Sequence, residues 1–164
     1  MKKLNKHKEG GGKDVNLIDD LQKTRMKYSS KVKKLRKEVF AKKFSSFEEY
    51  ICSLKKYLKE NGSYMNCQEC SDIMKYNLKE KGIKADNVLL YTVNQENQRI
   101  SKAEHVFTIA GLDKNATNDP KTWGECYIVD GWSGICMPSD KGINYFNEFF
   151  GIDPTKQKLA FEIL

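Results

Sequence analysis

Ser63-Tyr64-Met65-Asn66-Cys67-Gln68-Glu69-Cys70-Ser71-Asp72 is the stretch on which the reading of the fold turns. It follows an Asn61-Gly62 break and leads into Ile73 to Lys81, where Ile73, Met74 and Leu78 recur at helical spacing. Gly82 stands where a C-terminal glycine ends a helix. A cysteine in the first turn of a helix lies among backbone N–H groups without intrahelical partners, at the positive end of the macrodipole. That setting favours thiolate over thiol, and the thiolate is the form that attacks carbon. Cys67 is therefore the candidate nucleophile, and the chain should supply a base for it.

The chain holds two histidines, and His7 lies in a Lys-rich N-terminal tail with no apolar company. His105 instead opens the run His105-Val106-Phe107-Thr108-Ile109-Ala110-Gly111, which reads as a buried strand closed by glycine. A second β-type run, Cys126-Tyr127-Ile128-Val129, delivers Asp130 just before Gly131-Trp132-Ser133-Gly134. Cysteine at a helix start, histidine at a strand start and aspartate at the next strand's end meet the needs of thiol catalysis. The sulfur attacks, the imidazole moves the proton, and the carboxylate fixes the tautomer. Separations of 38 and 25 residues leave room for a helix plus a strand, and then for one hairpin. Each member also has a plainer reading: a buried thiol, a structural histidine, an aspartate that opens a turn. The set stands together because each role presumes the others.

In that order, Asn66-Cys67-Gln68-Glu69, Glu104-His105-Val106-Phe107 and Val129-Asp130-Gly131-Trp132 resemble the Cys–His–Asp core of the transglutaminase-like and papain-like cysteine hydrolases. Within that superfamily the likeness is to small bacterial effector and toxin members. The usual motifs there are Gly-Asn-Cys-Gly-Glu, Asp-His-Val-Phe and Val-Asp-Pro-Trp; Met65, Gln68 and Gly131 depart from them. The likeness spans residues 60 to 135. It implies an α+β domain with a papain-like/transglutaminase-like core: N-terminal helices, and a central Cys-bearing helix packed on an antiparallel sheet. It also implies acyl transfer on protein amides, glutamine deamidation first, with transglutamination and proteolysis as alternatives on the same fold. No cofactor is expected.

Cys70 forms a C-x-x-C with Cys67, but Cys126 and Cys136 lie ten apart rather than in a second such pair, so no metal site is expected. A thioredoxin-like redox pair needs a strand directly before the motif, and Ser63 to Asn66 makes a poor one. Cys70 reads as a helix residue facing the core, with a spare nucleophile as the alternative. The backbone N–H of Cys67 is the natural first oxyanion donor, with Asn66 or the 61–64 loop as sources of the second. Asn66, Gln68 and Trp132 are the candidate site-shaping residues, though for Trp132 a place in the core is preferred. Glu69 reads as a helix-start charge favoured by the macrodipole.

At 164 residues and 39% apolar content, the chain suits a single core, residues 14–164, with a basic helical part (14–60) and a catalytic core (61–164). No run of about 18 apolar residues spans a membrane, and the N-terminus lacks a secretory h-region. Five cysteines without a small-domain framework point to free thiols in a reducing, cytosolic setting. The resemblance adds delivery into a host cell without a cleaved signal peptide. Residues 1–60 carry 18 Lys and Arg against 8 Asp and Glu, and the remainder 11 against 14. The positive charge thus belongs to the N-terminal part. Residues 1–13 read as a disordered tail. From Asp14 to Lys43, Leu17, Leu21, Tyr28, Val32, Leu35 and Val39 make a narrow apolar stripe on a basic helix, with a break near Ser29-Ser30. Packing of this helix on its own domain is preferred over a coiled-coil seam or a membrane-surface helix. A protein substrate is the expected partner, with an acidic protein or anionic membrane for residues 14–43 and no specific nucleic acid. The rival from another class is a non-catalytic adaptor that uses this helix.

A Ser46–Glu49 capping box opens a helix whose buried stripe is Phe47, Tyr50, Ile51, Leu54 and Leu58. Asn87 to Val93 and Leu159 to Leu164 read as strands, and Asp140 to Phe150 as a short helix. The 112–122 loop reads as mobile, a hairpin loop or a gate over the site.

Overall fold

The computed structural model describes residues 29–39, 41–62, 65–100 and 104–164. The expected tail and the first half of the basic helix lie outside these residues. What is described is an α+β fold with an antiparallel five-stranded sheet. The helices are α1 (residues 29–39), α2 (Phe47–Asn61), α3 (Cys67–Glu80) and α4 (Ser139–Phe149). The strands are β1 (Ala85–Asn94), β2 (His105–Ala110), β3 (Tyr127–Asp130), β4 (Ile135–Pro138) and β5 (Gln157–Ile163), in sheet order β4-β3-β2-β1-β5.

Two apolar clusters hold the fold. In the first, Leu35 and Val39 of α1 pack with Tyr50, Ile51, Leu54 and Leu58 of α2, flanked by Met65, Ile73 and Tyr76. The described half of the basic helix is thus packed on its own domain. Ser29 and Ser30 are helical, and residues 41–43, expected to complete the helix, lie outside it. Phe47, expected in the stripe of α2, is 41% exposed and lies outside the cluster. At the start of α2, Ser46 Oγ accepts the Glu49 N–H at 3.1 Å, as a capping box requires. The Glu49 carboxylate, however, turns back to the N–H and hydroxyl of Ser45.

The second cluster fills one face of the sheet: Val88, Leu90, Phe107, Ile109, Trp123, Ile128 and Phe161, with Phe146 of α4 laid over them. Strand alternation sends Val106 and Thr108 to the other face, where Thr108 meets Ser71 of α3. Helices on both sides explain why β2 is buried along nearly its whole length. α3 closes as expected at Gly82, whose φ of 73° allows the Gly82 N–H and Ile83 N–H to reach the Lys79 and Leu78 carbonyls.

The first and last predicted strands are longer than periodicity suggested: β1 begins at Ala85 and β5 at Gln157. β4 had no sequence signal of its own; it is a four-residue edge strand ended by Pro138. The 112–122 loop is not a gate. It leaves the far end of β2 from His105, and the buried Trp123 anchors it through Nε1 to the Thr117 carbonyl at 2.8 Å. Asn118 ties it to β5 by accepting the Ile163 N–H. Among the described residues no helix is long and apolar enough to cross a membrane.

Gly142 of α4 has a specific packing reason. A Cβ there would lie 2.7 Å from Ile128 Cδ1 and 3.1 Å from Ile128 Cβ, inside the buried cluster. In a helix, Gly→Ala ordinarily stabilises by about 1 kcal/mol, but overpacking of a filled core costs about 1–3 kcal/mol. Gly142→Ala should therefore lower stability by about 1 kcal/mol in urea unfolding. Adding Ile128→Val, which removes Cδ1, should recover part of that loss; a Gly142→Ala protein more stable than the parent would contradict the packing.

Candidate active site

Cys67 is the first residue of α3 and is half-buried. Asn66 caps the helix with extended backbone (φ −99°, ψ −179°), and its N–H donates to Glu69 Oε2 at 2.9 Å. The nucleophile candidate thus sits where the unpaired N–H groups of a helix converge, on a turn held by its own third residue.

His105 begins β2, opposite Leu90 in the last pair of the β1–β2 ladder. Asp130 ends β3, beyond the Thr108↔Val129 pair. Register puts Asp130 within reach of the imidazole, and His105 Nε2 lies 2.7 Å from Asp130 Oδ2. Both side chains are buried, 4% and 1% exposed. Asp130 Oδ1 accepts the Trp132 N–H at 2.9 Å, Oδ2 also accepts the Ser133 hydroxyl, and the Asp130 carbonyl accepts the Gly134 N–H. Asp130 therefore opens the turn and holds the imidazole at once. With Nε2 committed to Asp130, Nδ1 is the ring nitrogen left for the sulfur, and the imidazole is close enough to Cys67 to favour its thiolate. All three predicted triad members come together.

The electrostatics favour a thiolate–imidazolium pair. Burial works against the Cys67 thiolate. The His105 hydrogen bond and charge, with the backbone N–H groups of Val106 and Gln68, outweigh it and hold the thiol below its usual range. Burial likewise opposes the His105 cation, but hydrogen bonds and charge from Asp130 and Cys67 carry its pKa up to about 9. At Asp130 burial favours the neutral acid, and His105, Ser133 and the Trp132 N–H reverse that, so the carboxylate ionises below the ordinary range.

A raised His105 loses its stabilising effect as pH rises from the ordinary value of about 6.5 toward 9. A lowered Cys67 gains in the opposite sense as pH climbs toward the free-thiol value of about 8.5. The two offset each other, because moving a proton from sulfur to imidazole leaves the proton count unchanged. Cys70 behaves differently. Burial and the charges of Asp130, Glu69 and Cys67 push its thiol up to about 11, which favours a protonated thiol near Gly131.

Beneath Cys67 lies a buried polar network. Asp72 accepts from Tyr50 Oη (2.9 Å), Gln68 Nε2 (3.0 Å) and Asn87 Nδ2 (2.8 Å). Ser71 Oγ donates to the Val106 carbonyl at 2.8 Å, and Thr108 Oγ1 lies 3.1 Å from both the Ser71 carbonyl and Asn87 Oδ1. The most buried residues of α3 are accordingly Glu69, Ser71 and Asp72, not the apolar residues that marked the helix. Gln68 is thereby held along its own helix. Residues 63 and 64, where part of the second oxyanion donor was sought, lie outside the described residues.

Trp132, expected in the core, is instead 45% exposed, and its ring lies 5.4 Å from that of His105; the core tryptophan is Trp123. The turn after Asp130 carries Trp132 outward, so it walls the site. Phe146 and Phe150 flank the imidazole at 5.5 and 6.1 Å. Ser133, Asp72, Asn87 and Arg36 were not found from sequence; of these only Ser133 had a local signal, its place in the turn that Asp130 opens.

The five cysteines are free thiols. Among the described residues no group of three or more His, Cys, Asp or Glu side chains is gathered to hold a metal ion. Compared with family models, with curated proteins and with solved structures, the chain matches none.

Asp130→Asn keeps an acceptor oxygen but removes the charge that offsets burial of the imidazolium. The NMR titration midpoint of His105 should fall from about 9 to below the ordinary value of about 6.5. A midpoint unchanged in that variant would remove Asp130 from its role.

Proposed function

We propose that the chain is a thiol-dependent acyl-transfer enzyme acting on protein amides, with Cys67, His105 and Asp130 as nucleophile, proton carrier and orienting carboxylate. On this reading the α+β fold is a papain-like/transglutaminase-like core, and the activity is glutamine deamidation of the bacterial effector or toxin type. The observation that carries it is the buried 2.7 Å His105–Asp130 contact with the imidazole's other nitrogen turned to a helix-start thiol. The motif resemblance around the same three residues is its second support.

In the proposed reaction the Cys67 thiolate attacks the carboxamide carbon, and the negative charge moves to oxygen. The Cys67 N–H at the start of α3 is the natural donor to that oxyanion. Collapse breaks the C–N bond as His105 gives its proton to the departing nitrogen, releasing ammonia and leaving a thioester. His105, now neutral, takes a proton from water. The hydroxide so formed attacks the thioester, and the carboxylate departs as Cys67 is restored. Resolution by an amine instead of water makes a transglutaminase, and cleavage of a backbone amide makes a protease. The half-buried Cys67 and an exposed Trp132 against His105 suit a side chain presented from the surface of a folded protein.

The basic helix supports a complementary reading. Lys33, Lys34 and Lys37 are exposed on α1, a face suited to an acidic protein or an anionic membrane surface, and the adaptor alternative would rest on it alone.

Intact-mass analysis of candidate protein substrates separates the chemistries. Deamidation adds about one mass unit, crosslinking removes about seventeen, and proteolysis yields fragments. Cys67→Ala should abolish the change and Cys70→Ala should retain it; a modification that survives Cys67→Ala would overturn the proposal.

A further inference from the structure

α1 reaches the nucleophile through a single carboxylate. Arg36 Nε donates to Glu69 Oε1 at 2.8 Å, and Oε2 of the same group accepts the Asn66 N–H at 2.9 Å. The Glu69 side chain is wholly buried, whereas 44% of Arg36 is open to solvent. A buried carboxylate two residues after the nucleophile is adverse in two ways. Unpaired, it carries a large desolvation cost, and its charge disfavours a thiolate at Cys67. A guanidinium in hydrogen-bond contact offsets both, and the charge of Arg36 also interacts with Cys67 itself. The helix-start charge read from sequence is therefore one half of an ion pair with a helix 33 residues away.

We propose that Arg36 is a positioning residue of the active site: by neutralising Glu69 it lets that carboxylate fix the cap at Asn66 while leaving Cys67 free to ionise. The basic helix is then a working part of the catalytic unit and not a separate module. The inference rests on the reading of Cys67 as nucleophile.

Other groups bear on the same charges: His105 from β2, Asp130 from β3, Cys70 and Asp72 on α3, and Tyr50 on α2. Substituting the pair leaves these residues in place, although Glu69 also acts on Cys70, Asp72 and Tyr50, and Arg36 on Tyr50. The test is the pH dependence of iodoacetamide alkylation at Cys67 in the full chain, read by peptide mass, with thermal melting as the check on folding. Arg36→Gln leaves Glu69 uncompensated and should raise the alkylation midpoint by about one pH unit. Glu69→Gln keeps a carbonyl for the Asn66 N–H but leaves Arg36 unopposed, so the midpoint should fall by about half a unit. The double variant should return close to the parent, and Arg36→Lys, which keeps the charge, should recover most of the Arg36→Gln shift. A purely structural strap would move both single variants in the same direction, or neither, and either result overturns the proposal. If Arg36→Gln does not fold, Glu69→Gln decides alone, since an unchanged or raised midpoint there is equally fatal. A parent midpoint at the free-thiol value of about 8.5 would instead sink the nucleophile reading beneath it.

Discussion

The Asp130 carboxylate is the constraint on which the site depends. A buried anion must be satisfied, and Asp130 is satisfied on both oxygens: by the Trp132 N–H, the Ser133 hydroxyl and the His105 imidazole. The first two donors come from its own turn, so the carboxylate is aimed before the imidazole arrives. His105 then inherits a fixed ring orientation, with Nε2 toward the acid and Nδ1 toward the sulfur. Because the pair is buried among Phe107, Phe146 and Phe150, solvent does little to weaken it.

Cys67, the proposed nucleophile, is positioned by a different device. α3 rests on the sheet through polar groups, Ser71 on the Val106 carbonyl and Asp72 on Asn87, and Asp72 also ties it to Tyr50 of α2. Apolar packing can slide by a fraction of an ångström at little cost, whereas hydrogen bonds of 2.8–2.9 Å at buried atoms hold direction as well as distance. With its fully buried side chains all polar, α3 gives up hydrophobic stabilisation and gains register. That register sets the sulfur against the first residue of β2. Burial nevertheless leaves Asp72 with a raised pKa, as three donors and the nearby Lys75 do not fully offset its desolvation.

Several features were legible in the chain before any coordinates. The three site residues stand out because histidine is scarce, because Cys67 follows a capping asparagine, and because Asp130 sits at the junction of a β-run and a turn. α2, α3 and β2 could be read from local spacing, as could α4, which begins one residue earlier than expected. The errors have one character. Phe47 and Trp132 are apolar yet largely exposed, while Glu69 and Asp72 are charged yet buried. Residue type predicts burial only on average, and at a site the average is what the fold overrides. β4 was missed because four residues ending in proline carry too little pattern to register.

By itself the amino-acid sequence determined what depends on neighbours a few positions apart: caps, helical spacing, strand runs, glycine stops and which cysteine, histidine and aspartate to seek together. Only the tertiary structure decided which face of α3 is buried, that the 112–122 loop lies at the end of the sheet away from His105, and that Arg36 meets Glu69 across 33 residues. The physical reason is that capping and periodicity are short-range, whereas burial and ion pairing follow from strand register and helix docking. Those couple segments with no shared local signature, as Leu90 with His105 and Thr108 with Val129 illustrate.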